Sequence, residues 1–181
     1  MTHASRRTST GWLPSLAIVI LGTALLAGCG PDPSEMIKEA RKLDKRFSQA
    51  FTSEDLDAIM ATYWNDPGLV SMPLGQMLLK GPDQVREDFK AFFEGTNVKS
   101  FAFRTQEYRV HGDVVIGWGT FKVVTDPSLG PEVTIKGRYT EVIGERDGEW
   151  VYLVDHASLP MTPKALAAST KPGTQKGGGS K

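Results

Sequence analysis

Apolar residues recur along the chain first at helical and then at strand spacing. Ile37, Ala40, Leu43, Phe47 and Phe51 fall three or four residues apart, which is one face of a helix. Asp32-Pro33-Ser34-Glu35 opens that run with an acid at the cap, proline at the first helical position and a glutamate close behind. A shorter stripe, Leu56, Ile59, Met60 and Tyr63, predicts a second helix behind a Thr52-Ser53 cap, closed by the turn Asn65-Asp66-Pro67-Gly68. The third helix is expected from Gly81-Pro82, carries Val85, Phe89, Phe92 and Phe93, and stops at Gly95. Between the second and third, GLVSMPLGQMLLKG predicts a short hairpin around Pro73-Leu74-Gly75.

After Gly95 the character changes, and four strands are predicted at 100–110, 114–124, 132–143 and 149–158. His111-Gly112-Asp113, Asp126 to Pro131 and Asp147-Gly148 separate them. Helices segregated from a run of strands predict an α+β fold, three N-terminal helices packed on an antiparallel sheet. In VVIGWGTFKVV one face carries Val114, Ile116, Trp118 and Thr120, the other Val115, Phe121 and Val123. Both are substantially apolar where one suffices to cover a core, so a homodimer through the sheet is expected.

The two ends read differently. Arg6 and Arg7 precede an apolar run from Leu13 to Leu26, too short for a membrane span, interrupted by Pro14 and ending in small residues. Leu26-Ala27-Gly28-Cys29 resembles the bacterial lipobox, in which the cysteine is lipidated and becomes the first mature residue. The resemblance implies a signal peptide over 1–28, a tether over 29–33, a domain over 34–160, and an exported protein anchored in the bilayer through acylated Cys29. Its place is then the outer membrane or cell envelope, facing the periplasm if the cell is Gram-negative. Residues 161–181 hold Lys164, Lys171, Lys176, Lys181, GGGS and no acid, a disordered basic tail by composition.

Charge and ligand inventory then narrow the function. Without Arg6 and Arg7, 19 of the 21 Lys and Arg remain against 21 Asp and Glu, a formal −2 that argues against nucleic acid as a partner. With Cys29 lipidated, only His111 and His156 remain as soft ligands, so neither a metal nor a cofactor is expected. Gly117-Trp118-Gly119 is followed by strand-like residues, where a nucleotide loop needs a helix. WVYLVDHASLP carries Asp155, His156 and Ser158, the residue types of a hydrolytic triad. Alternation on one strand puts Trp150, Tyr152, Val154, His156 and Ser158 on one face and Asp155 on the other, so Asp155 cannot orient His156.

DLDAIMATYWNDP, VSMPLGQMLLKGPDQVREDF and GRYTEVIGERDGEWVYLVDHAS, in that order, resemble the SnoaL-like branch of the nuclear transport factor 2-like superfamily. The resemblance implies a cone, a curved sheet wrapped around helices with a pocket at its open end. Ketosteroid isomerases share that fold and need a carboxylate base, a tyrosine and a protonated acid. Matching them puts Met72 at the base, Phe47 at the tyrosine and Arg138 to Thr140 at the second acid, so that activity is not expected. Pocket candidates are Tyr63, Trp64, Met72, Trp118, Tyr139, Tyr152 and His156. Val133, Ile135, Tyr139 and Ile143 form the apolar set of their strand and carry Glu141 inward, where it could pair with His156 as general acid and base. The plain alternative has His156 hydrogen-bonded structurally and Glu141 paired with Arg138 or Arg146. Two readings follow: a membrane-tethered module binding a small apolar or amphipathic ligand or a protein partner, or a lyase, isomerase or hydrolase using Glu141 and His156.

Overall fold

The computed structural model describes residues 32–127 and 130–161. The expected signal peptide over 1–28, the lipobox-like stretch with Cys29 and the tail beyond Met161 lie outside the described residues. Helix α1 spans Pro33–Thr52, and the Asp32 side chain accepts a 2.9 Å hydrogen bond from the Ser34 amide, as the opening motif predicts. Helix α2 is Leu56–Met60, and its cap is Asp55 rather than Thr52-Ser53. The reason is local. The Ser53 hydroxyl turns back to the Gln49 and Ala50 carbonyls, Glu54 reverses the chain at φ 55°, and Asp55 accepts from the Ala58 amide at 2.9 Å. Helix α3 is Gly81–Gly95, preceded by the short strands β1, Val70–Met72, and β2, Leu79–Lys80. No helix among the described residues is long and apolar enough to cross a membrane.

Four long strands follow: β3 Thr96–His111, β4 Val114–Pro127, β5 Val133–Arg146 and β6 Glu149–Ser158. The sheet runs β2-β1-β6-β5-β4-β3, antiparallel except where β1 lies parallel to β6. Its pairing slips at Val98/Ser100 and Phe103/Thr105 in β3, and between β5 and β6 where Leu153 is an extra residue. Such bulges bend and twist a sheet, and here the helices pack against its curved inner face.

The space between α1 and that face is filled with rings. Phe47 is the hub, with ring centroids 5.5–6.3 Å from Phe51, Tyr63, Phe89, Phe101, Phe103 and Tyr152. Edge-to-face and tilted geometries dominate, which suits aromatic quadrupoles and adds to the burial of apolar area. Two close approaches hold the sheet in shape. A Cβ on Gly119 would fall 1.8 Å from the Thr105 carbonyl oxygen, beside the second β3 bulge, and one on Gly117 would fall 2.4 Å from Glu141 Oε1. Gly119→Ala is therefore expected to force β3 and β4 apart and to lower stability by more than about 2 kcal/mol, read as a fall in thermal midpoint. An unchanged midpoint would contradict the close approach.

Candidate functional site

The interior is not wholly apolar. Asp44 sits on the buried stripe of α1, next to Leu43 and one turn before Phe47, and is 1 % exposed. Its carboxylate is enclosed by donors from the two sides of the curve. Gln106 Nε2 at 2.7 Å and Tyr108 Oη at 2.5 Å, both from β3, donate to Oδ2, and Tyr152 Oη from β6 donates to Oδ1 at 2.9 Å. Glu141, on β5 and 2 % exposed, is an electrostatic neighbour of Asp44, and its Oε1 has no partner among the described residues. Beside them Asp155 accepts from Tyr63 Oη at 3.0 Å and Ser71 Oγ at 3.4 Å, and the Tyr63 and Tyr152 rings are 5.3 Å apart.

The electrostatics divide the acids by role. Burial pushes the Glu141 carboxyl well above the usual range, and the charges of Asp44 and Asp155 push the same way. Burial also raises Asp44, but bonds from Tyr108, Tyr152, Gln106 and Glu141 favour its charged form. Of the two, Glu141 is therefore the carboxyl pushed more strongly toward its protonated form, and Asp44 the one whose charge is supported by donors. Asp155 is raised to about 6, by burial first, against the hydrogen bonds of Tyr63 and Ser71. Burial and the neighbouring carboxylates keep Tyr63, Tyr108, Tyr139 and Tyr152 neutral and able to donate. An open groove of about 680 Å³ between α1 and β3 reaches Asp44 and Gln106 past Arg41, Lys45, Phe101 and Phe103. Arg41 also lies over the Tyr108 ring, 4.6 Å from its centroid.

The residues expected to share one pocket fall in three places. Tyr63, Tyr139, Tyr152 and Glu141 are buried on the inner face. His156 is not with them. Tyr152 pairs with Ile143 and Val154 with Val142, so Leu153 is a bulge that reverses the alternation of β6. Asp155, paired with Glu141, turns inward, while His156 pairs with Thr140 and with Met72 on the outer face. Trp118 also pairs with Thr140 and shares with His156 an outer groove of about 450 Å³. The proposed Glu141–His156 pair is therefore split by the sheet, and Trp118, Met72 and His156 do not line the interior. Trp64 lies in a third place, a surface cleft of about 500 Å³, with the Arg146 guanidinium 5.6 Å from its ring centroid. Arg138 donates to Ser158 Oγ at 3.2 Å, and Arg146 lies 4.0 Å from Asp113, so neither arginine neutralises Glu141. Nor is the interior stripped of acids. The position matched to the second isomerase acid holds none, but Glu141 stands one residue beyond Thr140, beside an Asp44 that the isomerase match did not reach. Among the described residues no cluster of three or more His, Cys, Asp or Glu is arranged to hold a metal ion.

Helices on a curved, mostly antiparallel sheet, with a polar cluster inside, define a cone of the nuclear transport factor 2-like class. The SnoaL-like domain family matches residues 45–153, and the chain belongs to it. Solved structures of similar shape include a nuclear transport factor 2-like superfamily protein from Salmonella enterica serovar Typhimurium, with a TM-score of 0.66 at 14 % identity, covering 72 % of this chain and 94 % of that one. A ketosteroid isomerase-like protein from Erwinia carotovora atroseptica has a TM-score of 0.63 at 18 % identity, covering 71 % and 98 %. A protein of unknown function from Shewanella oneidensis has a TM-score of 0.54 at 21 % identity, covering 67 % and 98 %. At such identities the likeness speaks for the fold. Comparison with curated proteins gives no match.

The raised acids fix a sign. The folded state holds protons on Glu141 and Asp155 at pH values where the unfolded chain has released them, so their contribution to stability is greatest at low pH and is lost as pH rises. For Asp155 the loss falls between its ordinary value of 3.8 and about 6. The domain should melt several degrees higher at pH 5 than at pH 8, and Glu141→Gln should flatten that dependence without lowering the midpoint at pH 8. A midpoint that rises from pH 5 to pH 8, or a destabilised Gln variant at pH 8, would contradict the assignment.

Proposed function

We propose that this SnoaL-like domain handles a small apolar or amphipathic molecule by proton transfer at the Asp44–Glu141 pair, on a chain exported and anchored through acylated Cys29. The observation that carries the reading is a buried carboxyl with one free oxygen beside a carboxylate held by two tyrosines and a glutamine. A carboxylate next to a neutral carboxylic acid supplies base and acid at one point. That suits moving a proton between two positions of one substrate, as in lyase or isomerase chemistry. Phe101 and Phe103 along the groove suit an apolar body, and Arg41 and Lys45 suit a polar or anionic end at its mouth. The tether supports the same reading. Three residues separate Cys29 from Pro33. At about 3.5 Å each they keep the domain within roughly 10–15 Å of the lipid surface, where ligands of this kind partition.

Native mass spectrometry of the chain purified from its own membranes tests both halves. The N-terminus is expected at Cys29 with acyl mass added, together with a small molecule whose occupancy falls at least about tenfold in Asp44→Asn. An intact, unacylated N-terminus would end the anchor reading. Equal occupancy in the variant, or an empty wild-type domain, would end the interior-site reading.

A further inference from the structure

The outer face of the sheet carries a second feature, unconnected with the acid pair. Beside the groove of Trp118 and His156 lies another of about 560 Å³, rimmed by Arg104, Lys122, Lys136 and Arg138. Lys122 and Lys136 pair across β4 and β5, and Thr120 with Arg138 form the next rung, so these side chains rise from one face. Arg104 joins them at the β3 bulge between Phe103 and Thr105. None of the four enters an ion pair among the described residues. Of the acids on neighbouring strands, Asp126 is held by Lys99 at 3.2 Å and Glu107 lies opposite Trp118, beyond the Thr120 rung. Four cations, none in an ion pair among the described residues, converge on one groove of a chain whose domain and tail together are slightly acidic.

The adjoining groove is apolar and aromatic. Arg138 lines both grooves, and Trp118, Thr140 and His156 continue the surface away from the cations. Trp118 and Lys122 are four residues apart on one strand, about 14 Å at the usual rise. We infer that this outer surface binds an amphipathic organic phosphate, its headgroup held by Arg104, Lys122, Lys136 and Arg138 and its apolar body lying along Trp118. Guanidinium forks and lysine ammonium groups from three strands match a phosphate's several oxygens, and an indole beside them covers apolar surface that water would otherwise meet. A second copy of the chain fits less well. An isologous pairing over this groove would set the four cations against their equivalents with no acid between them.

Binding to the full chain is measured by calorimetry and tryptophan fluorescence, with dodecyl phosphate below its micellar concentration, dodecyl maltoside and inorganic phosphate as probes. Dodecyl phosphate should bind saturably at one site, at least about tenfold tighter than either of the others. Its affinity should fall at least tenfold in Lys122→Glu/Arg138→Glu, and the fluorescence change should vanish in Trp118→Phe. Both positions are on the surface, and an unchanged thermal midpoint confirms that the charge-reversed variant folds. Maltoside binding as tight would reduce the site to apolar adsorption, and inorganic phosphate as tight would remove the apolar half. Unaltered affinity in the charge-reversed variant, or a dimer by sedimentation that covers Trp118 and excludes dodecyl phosphate, would overturn the proposal. None of these results bears on Asp44 and Glu141, so this surface and the interior site stand or fall separately.

Discussion

The fold is organised around one buried carboxylate. Asp44 reaches from α1 into the sheet and is held at the same time by β3 and by β6, strands with β4 and β5 between them. A flat sheet would keep those strands some 14 Å apart at the usual spacing, and side chains standing upright from it would not converge on one carboxylate. The curvature that the bulges give the sheet is therefore a condition of satisfying Asp44, and Asp44 in turn pins the helix across the concave face. An unsatisfied charge at that depth would cost several kcal/mol, so the polar cluster and the curl of the sheet depend on each other. The aromatic packing around Phe47 helps bury Glu141, and that burial gives the arrangement its electrostatic consequence: Glu141, next to Asp44, is pushed toward its protonated form.

The helices and strands were largely legible in the text because their signals are local. Asp32 with Pro33 marks the start of α1, Gly95 the end of α3, and Asp147-Gly148 the last hairpin, each through chemistry contained within a few residues. The second cap was misread because Ser53 and Asp55 both look like caps. Which one serves is decided by Glu54 turning the chain between them.

The site was less legible, for two distinct reasons. Asp44 left a sign in the sequence, an acid on an otherwise apolar stripe between Leu43 and Phe47, but its donors come from residues more than sixty positions away. The faces of β6 left none. Leu153 is an extra residue only by comparison with β5, and one strand's own alternation cannot reveal a slip against its partner. That slip exchanged Asp155 and His156 between the inside and the outside. It left the rejection of a hydrolytic triad intact, since the two still face apart, while it dissolved the Glu141–His156 pair and brought a third acid into the cone. The isomerase comparison did not reach these acids for a different reason: it tested fixed positions, and this interior places Glu141 one residue beyond the last of them.

All of this rests on a protonated Glu141 beside a charged Asp44. Infrared difference spectroscopy of the wild-type chain against Glu141→Gln at pH 7 reads that directly. The account predicts that the wild type carries the carbonyl stretch of a protonated carboxylic acid in an apolar setting, absent from the variant. A difference spectrum showing only the loss of an ionised carboxylate would contradict it.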